Sequence, residues 1–171
     1  MAATVCNRAM APRNLIRATT QYNIADGLLV QQSNTEAAIF HYTEAARLLP
    51  GLALAHLEVG VLLAREGRTK HAVEQYEQAL PFRPGYPEAH NNLGVALVTQ
   101  GKTNEAIMHM EEALRINPDC IDAHYNLAVL LAGEGRLEEA VAQLQAALKL
   151  DPNSENRVRR STCCSGLRQP D

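Results

Sequence analysis

Tryptophan is absent from this 171-residue chain, aromatic residues make up only 4% of it, and its four cysteines form no Cys-x-x-Cys pair. A chain so poor in aromatics and rich in Ala and Leu favours helices packed through small residues over a β-sandwich. Cys6 and Cys120 stand alone, and the neighbours Cys163 and Cys164 are too close in sequence to share a bond or a tetrahedral metal readily. The thiols therefore read as reduced, with no zinc or redox role. No apolar run approaches the about 18–20 residues that cross a bilayer; the best, from Gly51 to Ala64, is broken by His56 and Glu58. Glycine-rich phosphate loops of the G-x-G-x-x-G or G-x-x-x-x-G-K type are missing. No local pattern joins a Ser, a His and an acid into a nucleophile with its base. The carboxylate pairs Glu111–Glu112 and Glu138–Glu139 fall on hydrophilic helix faces, where solvation explains them. The expectation is a protein without catalytic activity, cofactor or resident metal.

Charge is unevenly spread. Residues 1–18 carry Arg8, Arg13 and Arg17 with no acid, and residues 155–171 carry four Arg against Glu155 and Asp171. With ends at +3 and +2 and a total of −3, residues 19–154 hold −8. An acidic body repels phosphate, which argues against nucleic acid as a partner. The arginine-bearing, acid-free N-terminus leaves organelle targeting as the alternative to a cytoplasmic protein.

The period of the chain carries more than its composition. Pro50, Pro84, Pro118 and Pro152 are spaced by 34 residues. The same step links Ala38, Ala72, Ala106 and Ala140, then Ala45, Ala79, Ala113 and Ala147, and then Leu29, Leu63, Leu97 and Leu131. Gly67, Gly101 and Gly135 follow it too. Between each Gly and the next Pro lies a run with apolar residues at helical spacing, such as Leu137 to Leu150, and before each Gly lies another, such as Ala123 to Leu131. Glycine ends the first helix because it enters the left-handed region without a side-chain penalty. Proline stops the second, having no N–H to donate and a fixed φ. The alanines let two helices approach closely. The unit is a helix–turn–helix hairpin, stacked on its neighbours.

A 34-residue helical hairpin is the length of a tetratricopeptide repeat, and residues 19–154 resemble that family. "PEAHNNLGVALVTQGKTNEAIMHMEEALRINPDC" and "IDAHYNLAVLLAGEGRLEEAVAQLQAALKLDPNS" fit the pattern best, and "ALAHLEVGVLLAREGRTKHAVEQYEQALPFRPGY" is close. In the first unit Asp26 replaces the small residue and Ser33 the glycine. The resemblance implies an all-α right-handed superhelix, an α-solenoid, of eight repeat helices in four units, 19–52, 53–86, 87–120 and 121–154. A basic segment (1–18), partly disordered or helical, precedes them, and a poorly ordered basic tail (155–171) follows. Pro81, three residues before Pro84, predicts that the second helix of the second unit ends a turn early.

His56, His90 and His124 share the 34-residue step, but stacked units hold equivalent side chains roughly 10 Å apart, too far to share one metal ion. Half-buried packing is their expected role, and His41, His71 and His109 show no common face. The resemblance implies instead that the first helix of each unit lines a concave groove. Its outer positions here are Asn23, Glu58, Asn91, Asn92, Tyr125 and Asn126, over an apolar floor of Val61, Val95, Val98 and Val129. A primary amide both donates and accepts, so it can hold a peptide backbone whatever its side chains. The set is similar to the asparagine ladder of the superhelical repeats of O-linked N-acetylglucosamine transferases, interrupted here by Glu58 and Ile24. Groove lysines and arginines of the kind used to grip a carboxylate tail are missing apart from Arg65. The implied function is a scaffold or adaptor that binds an extended protein segment. A structural assembly unit, self-associating through the C-terminal repeat, and the targeting arm of a larger glycosyltransferase-type enzyme remain the alternatives.

Overall fold

A computed structural model describes the backbone of residues 2–32 and 34–151, and the side chains of 13–30 and 34–151. The expected tail at 155–171 and the turn residue Ser33 lie outside the described residues. Among the described residues there are eight helices and no strand. They are α1 (Ala2–Gln32), α2 (Thr35–Leu48), α3 (Ala53–Arg65), α4 (Thr69–Ala79), α5 (Pro87–Val98), α6 (Thr103–Ile116), α7 (Ile121–Gly133) and α8 (Leu137–Leu150). Consecutive helices pair as hairpins, and each hairpin packs on the next through α2–α3, α4–α5 and α6–α7. The result is the α-solenoid that the period implied.

The turn chemistry acts as the spacing predicts. Gly67, Gly101 and Gly135 have φ of 74°, 74° and 76°. Each is followed by an N–H that reaches back to the last turn of the first helix: Arg68 to the Leu63 carbonyl (2.9 Å), Lys102 to Leu97 (3.1 Å) and Arg136 to Leu131 (2.9 Å). These bonds satisfy carbonyls that a helix end leaves open. The first hairpin, without that glycine, starts its second helix on Asn34, whose Oδ1 accepts from the Ala37 N–H at 3.1 Å. α4 ends at Ala79 after 11 residues, whereas α6 and α8 each run for 14. That is the shortening expected of Pro81.

Small residues let the paired helices approach. Ala38, Ala72, Ala106 and Ala140 are all buried, as are Ala45, Ala79, Ala113 and Ala147. Between them Tyr42, Tyr76, Leu93, Leu97, Met110 and Leu127 fill the interior with almost no exposure. α1 departs from the others in length. Residues 2–18 continue the same helix ahead of the position where α3, α5 and α7 begin.

Across neighbouring units, α3 touches α5 and α5 touches α7, and no two second helices approach as closely. A stack whose first helices are the nearer set curves toward them. The inner surface is therefore built from α3, α5 and α7.

Candidate functional site

On that inner surface the three asparagines form one hydrogen-bonded row. Asn126 donates from Nδ2 to Asn91 Oδ1 at 3.0 Å, and Asn91 donates from Nδ2 to Asn92 Oδ1 at 3.5 Å. The row joins α7 to α5 and leaves two groups without a protein partner among the described residues, the Nδ2 donor of Asn92 and the Oδ1 acceptor of Asn126. Asn92, Tyr125 and Asn126 are half-buried, as are Glu58, Val61, Val95 and Val98, while Asn23 and Val129 are exposed. Asn91, though placed among the outer groove positions, is buried. The amide contact between neighbouring units spans 35 residues, so its true partner for Asn126 is one place before the 34-residue equivalent, Asn92.

Of the three phased histidines, His124 is half-buried as expected and the other two are more deeply set. His56 and His90 are buried, and each ring is tied to the second helix of its own hairpin. His56 donates from Nδ1 to Gln75 Oε1 at 3.0 Å, and His124 Nδ1 meets Gln143 Oε1 at 2.6 Å. In the third unit the second-helix partner is His109, whose Nδ1 lies 3.0 Å from His90 Nδ1. His90 Nε2–H donates to the Pro84 carbonyl (3.1 Å), so its Nδ1 accepts and His109 Nδ1–H donates. Burial, and then the charge His90 would carry, holds the His109 pKa below the usual imidazole range. His41 lies two periods before His109 and bonds Gln21 Oε1 through Nδ1 at 2.6 Å. His41, Gln75, His109 and Gln143 thus occupy one repeated place on the second helices. The expectation that His41 and His109 share no face is overturned. These rings fasten each hairpin, and through Pro84 and Pro118 they also fasten α5 and α7 to the end of the preceding unit.

At the other end of the surface, Asp26 sits where the next units have Gly60, Gly94 and Ala128. Tyr42 O–H donates to its carboxylate, and Tyr22 meets the Tyr42 ring edge-on at 5.0 Å. Burial pushes both tyrosine hydroxyls and the Glu58 carboxyl up; the next cause is Glu58 at Tyr22 and Asp26 at both Tyr42 and Glu58, and Arg65 offsets the shift of Glu58 in part. A carboxyl raised in the folded state takes up its proton before the unfolded chain does. It therefore adds stability as pH falls from neutral toward the ordinary value of 4.5. Glu58→Gln should accordingly melt above the parent at pH 7, with the difference shrinking by pH 4.5; thermal melts at the two pH values check it. Burial likewise pushes the Cys120 thiol up, which keeps it in its unreactive form.

Among the described residues no three His, Cys, Asp or Glu side chains cluster as a metal site, and no helix is long and apolar enough to cross a membrane. Two family models match: a tetratricopeptide repeat model over residues 97–160 and a TPR repeat model over residues 60–101. This chain carries tetratricopeptide repeats. Solved structures share the fold. MamA 41-end from Desulfovibrio magneticus RS-1 is 26% identical, with a TM-score of 0.72 over 85% of this chain and 81% of that one. A crystal structure of MamA is 20% identical, with a TM-score of 0.72 over 81% of each chain. The first TPR of Spaghetti (RPAP3), bound to the HSP90 peptide SRMEEVD, is 18% identical, with a TM-score of 0.67 over 71% of this chain and 95% of that one. A comparison with curated proteins finds no match.

Proposed function

We propose that the chain is a scaffold that holds an extended, largely uncharged peptide on the surface of α3, α5 and α7. The carrying observation is the amide row, which ends in one open donor on Asn92 and one open acceptor on Asn126. A peptide backbone offers one carbonyl and one N–H per residue, the complement of that pair. Val61, Val95 and Val129 supply apolar contact alongside, and Tyr125 adds a rigid amphipathic side chain. The sequence resemblance to the asparagine ladder of the O-linked N-acetylglucosamine transferase repeats points the same way. The RPAP3 repeat domain, whose fold this chain shares, was solved with a bound peptide. That peptide is acidic, and Asp26 and Glu58 on this chain disfavour such a ligand, with Arg65 the only basic residue on α3, α5 or α7.

A peptide selected from a random library on the immobilised chain, then labelled for fluorescence anisotropy, tests the reading. Asn92→Ala removes the open donor, so affinity should fall about three- to tenfold, the worth of a net hydrogen bond, with at most a small drop in melting temperature, because the bond its Oδ1 accepts from Asn91 is long, at 3.5 Å. Asn126→Ala should weaken binding similarly and also lower stability, because it leaves the buried Asn91 Oδ1 without its donor. Selected peptides that bind both variants as tightly as the parent would remove the amide row from the mechanism.

A further inference from the structure

The second helices bury a fixed set of positions under the next hairpin, and in α8 no described residue covers that set. Val73 and Ile107 are 7% and 8% exposed, while their equivalent Val141 is 50% exposed. Tyr76 and Met110 are each 1% exposed, and their equivalent Leu144 is 36% exposed. Leu80 and Leu114 are half-buried, whereas Leu148 is exposed, and so is Leu137 at the start of the helix. Within the last hairpin Val141 and Leu148 are open on α8, whereas Leu127 and Leu131 are buried on α7. Among the described residues, this is one side of an inter-repeat interface.

We propose that a second copy of this chain covers the face by packing its own α8 against it, antiparallel, about a two-fold axis. Continuity with the α2–α3, α4–α5 and α6–α7 interfaces says that the occupant is a helix with an apolar stripe. In a second copy, α1 is the helix that no preceding hairpin covers, and it fits poorly. Its exposed apolar residues Leu15, Ile16, Ile24 and Val30 stand 1, 8 and 6 apart, which spreads them around the helix instead of along one stripe, and its residues 2–18 run on past the point where α3, α5 and α7 start. The apolar stripe that remains unpartnered among the described residues is that of α8 itself. Four of its five large exposed apolar residues, Leu137, Val141, Leu144 and Leu148, are spaced 4, 3 and 4 apart. That spacing holds them on one narrow stripe, and it reads the same in both directions. Two such stripes laid antiparallel set Leu137 against Leu148 of the partner subunit and Val141 against the partner's Leu144. A face that complements itself closes as a dimer and grows no further. Ala140 and Ala147, on the adjacent stripe, stay engaged with α7, so the association disturbs nothing inside the hairpin. The groove of α3, α5 and α7 takes no part, and the inference stands apart from the peptide-binding reading.

Sedimentation velocity of the full chain over a wide concentration range tests it. The weight-average mass should climb from that of one chain to that of two and stop there. Leu137→Glu alone and Leu148→Lys alone should each hold the protein at the mass of one chain, with unchanged helical circular dichroism because both positions are exposed. Combining the two should restore the dimer, since each new acid then faces the partner's new base across the axis. Within one chain those positions are three turns apart and gain nothing from each other. A parent that stays monomeric at every concentration overturns the proposal. So does association that survives either single substitution, mass that grows beyond two chains, or a double variant that remains monomeric.

Discussion

Substituting Gly60 by Ala should destabilise the fold by about 2–3 kcal/mol, although alanine is the better helix former by about 1 kcal/mol. A Cβ on Gly60 would overlap Tyr76 Cε1 and lie 2.7 Å from Cδ1 and 3.0 Å from Cζ. The Tyr76 ring is fully buried and rigid, so either the ring or α3 must move. The sequence holds its own remedy. In the last hairpin Ala128 stands at the glycine position and Leu144 at the tyrosine position. Gly60→Ala should therefore cost markedly less in a Tyr76→Leu background, a coupling that a double-mutant cycle in urea measures directly. Gly94→Ala should fall between, since its Cβ would meet the flexible Met110 side chain at 2.9 Å but also the Ala106 carbonyl at 3.0 Å. Equal losses for Gly60→Ala in both backgrounds would mean that the helices do not cross where the packing places them.

Ala106→Leu should cost about 1–3 kcal/mol by overpacking the α5–α6 crossing. Ala106 has no exposed surface, and its carbonyl already lies close to Gly94 on the facing helix. Alanine and leucine differ little in helix propensity, so the loss reports packing alone. Ala142→Leu on exposed α8 is the control and should leave the melting temperature within a degree or two. An Ala106→Leu variant with the parent's melting temperature would contradict the register of the whole stack.

Much of the architecture was legible because the residues that set it are repeated as identities. Gly67, Gly101 and Gly135 take the same positive φ, the phased alanines are buried, and Pro81 shortens α4. Contacts between different residue types were harder to read. The second-helix place that faces the phased histidines alternates His41, Gln75, His109 and Gln143, so a search for equal residues finds no pattern there. Its signal is a distance, 19 residues from His56, His90 and His124. The Asn126–Asn91 bond escaped for a related reason. A 34-residue period locates equivalent positions, whereas side chains of adjacent helices meet slightly off that register, here by one residue. The Tyr42–Asp26 bond belongs to the same class, since Asp26 occupies a glycine position and only the 16-residue step shared with Gly60 and Tyr76 points to its partner. The continuation of α1 back to Ala2 has no such marker, because residues 1–18 stand outside the period.

Hydrogen–deuterium exchange on the full chain, with and without a library-selected peptide, tests the central claim most directly. It reads backbone protection along every helix without presupposing which side chains matter. Peptide binding on the inner surface should slow exchange in α3, α5 and α7, most strongly around Asn92 and Asn126, and leave α4, α6 and α8 at their free-state rates. Protection concentrated on the second helices, or confined to the turns at Gly67 and Gly101, would place the peptide on another surface and contradict the account.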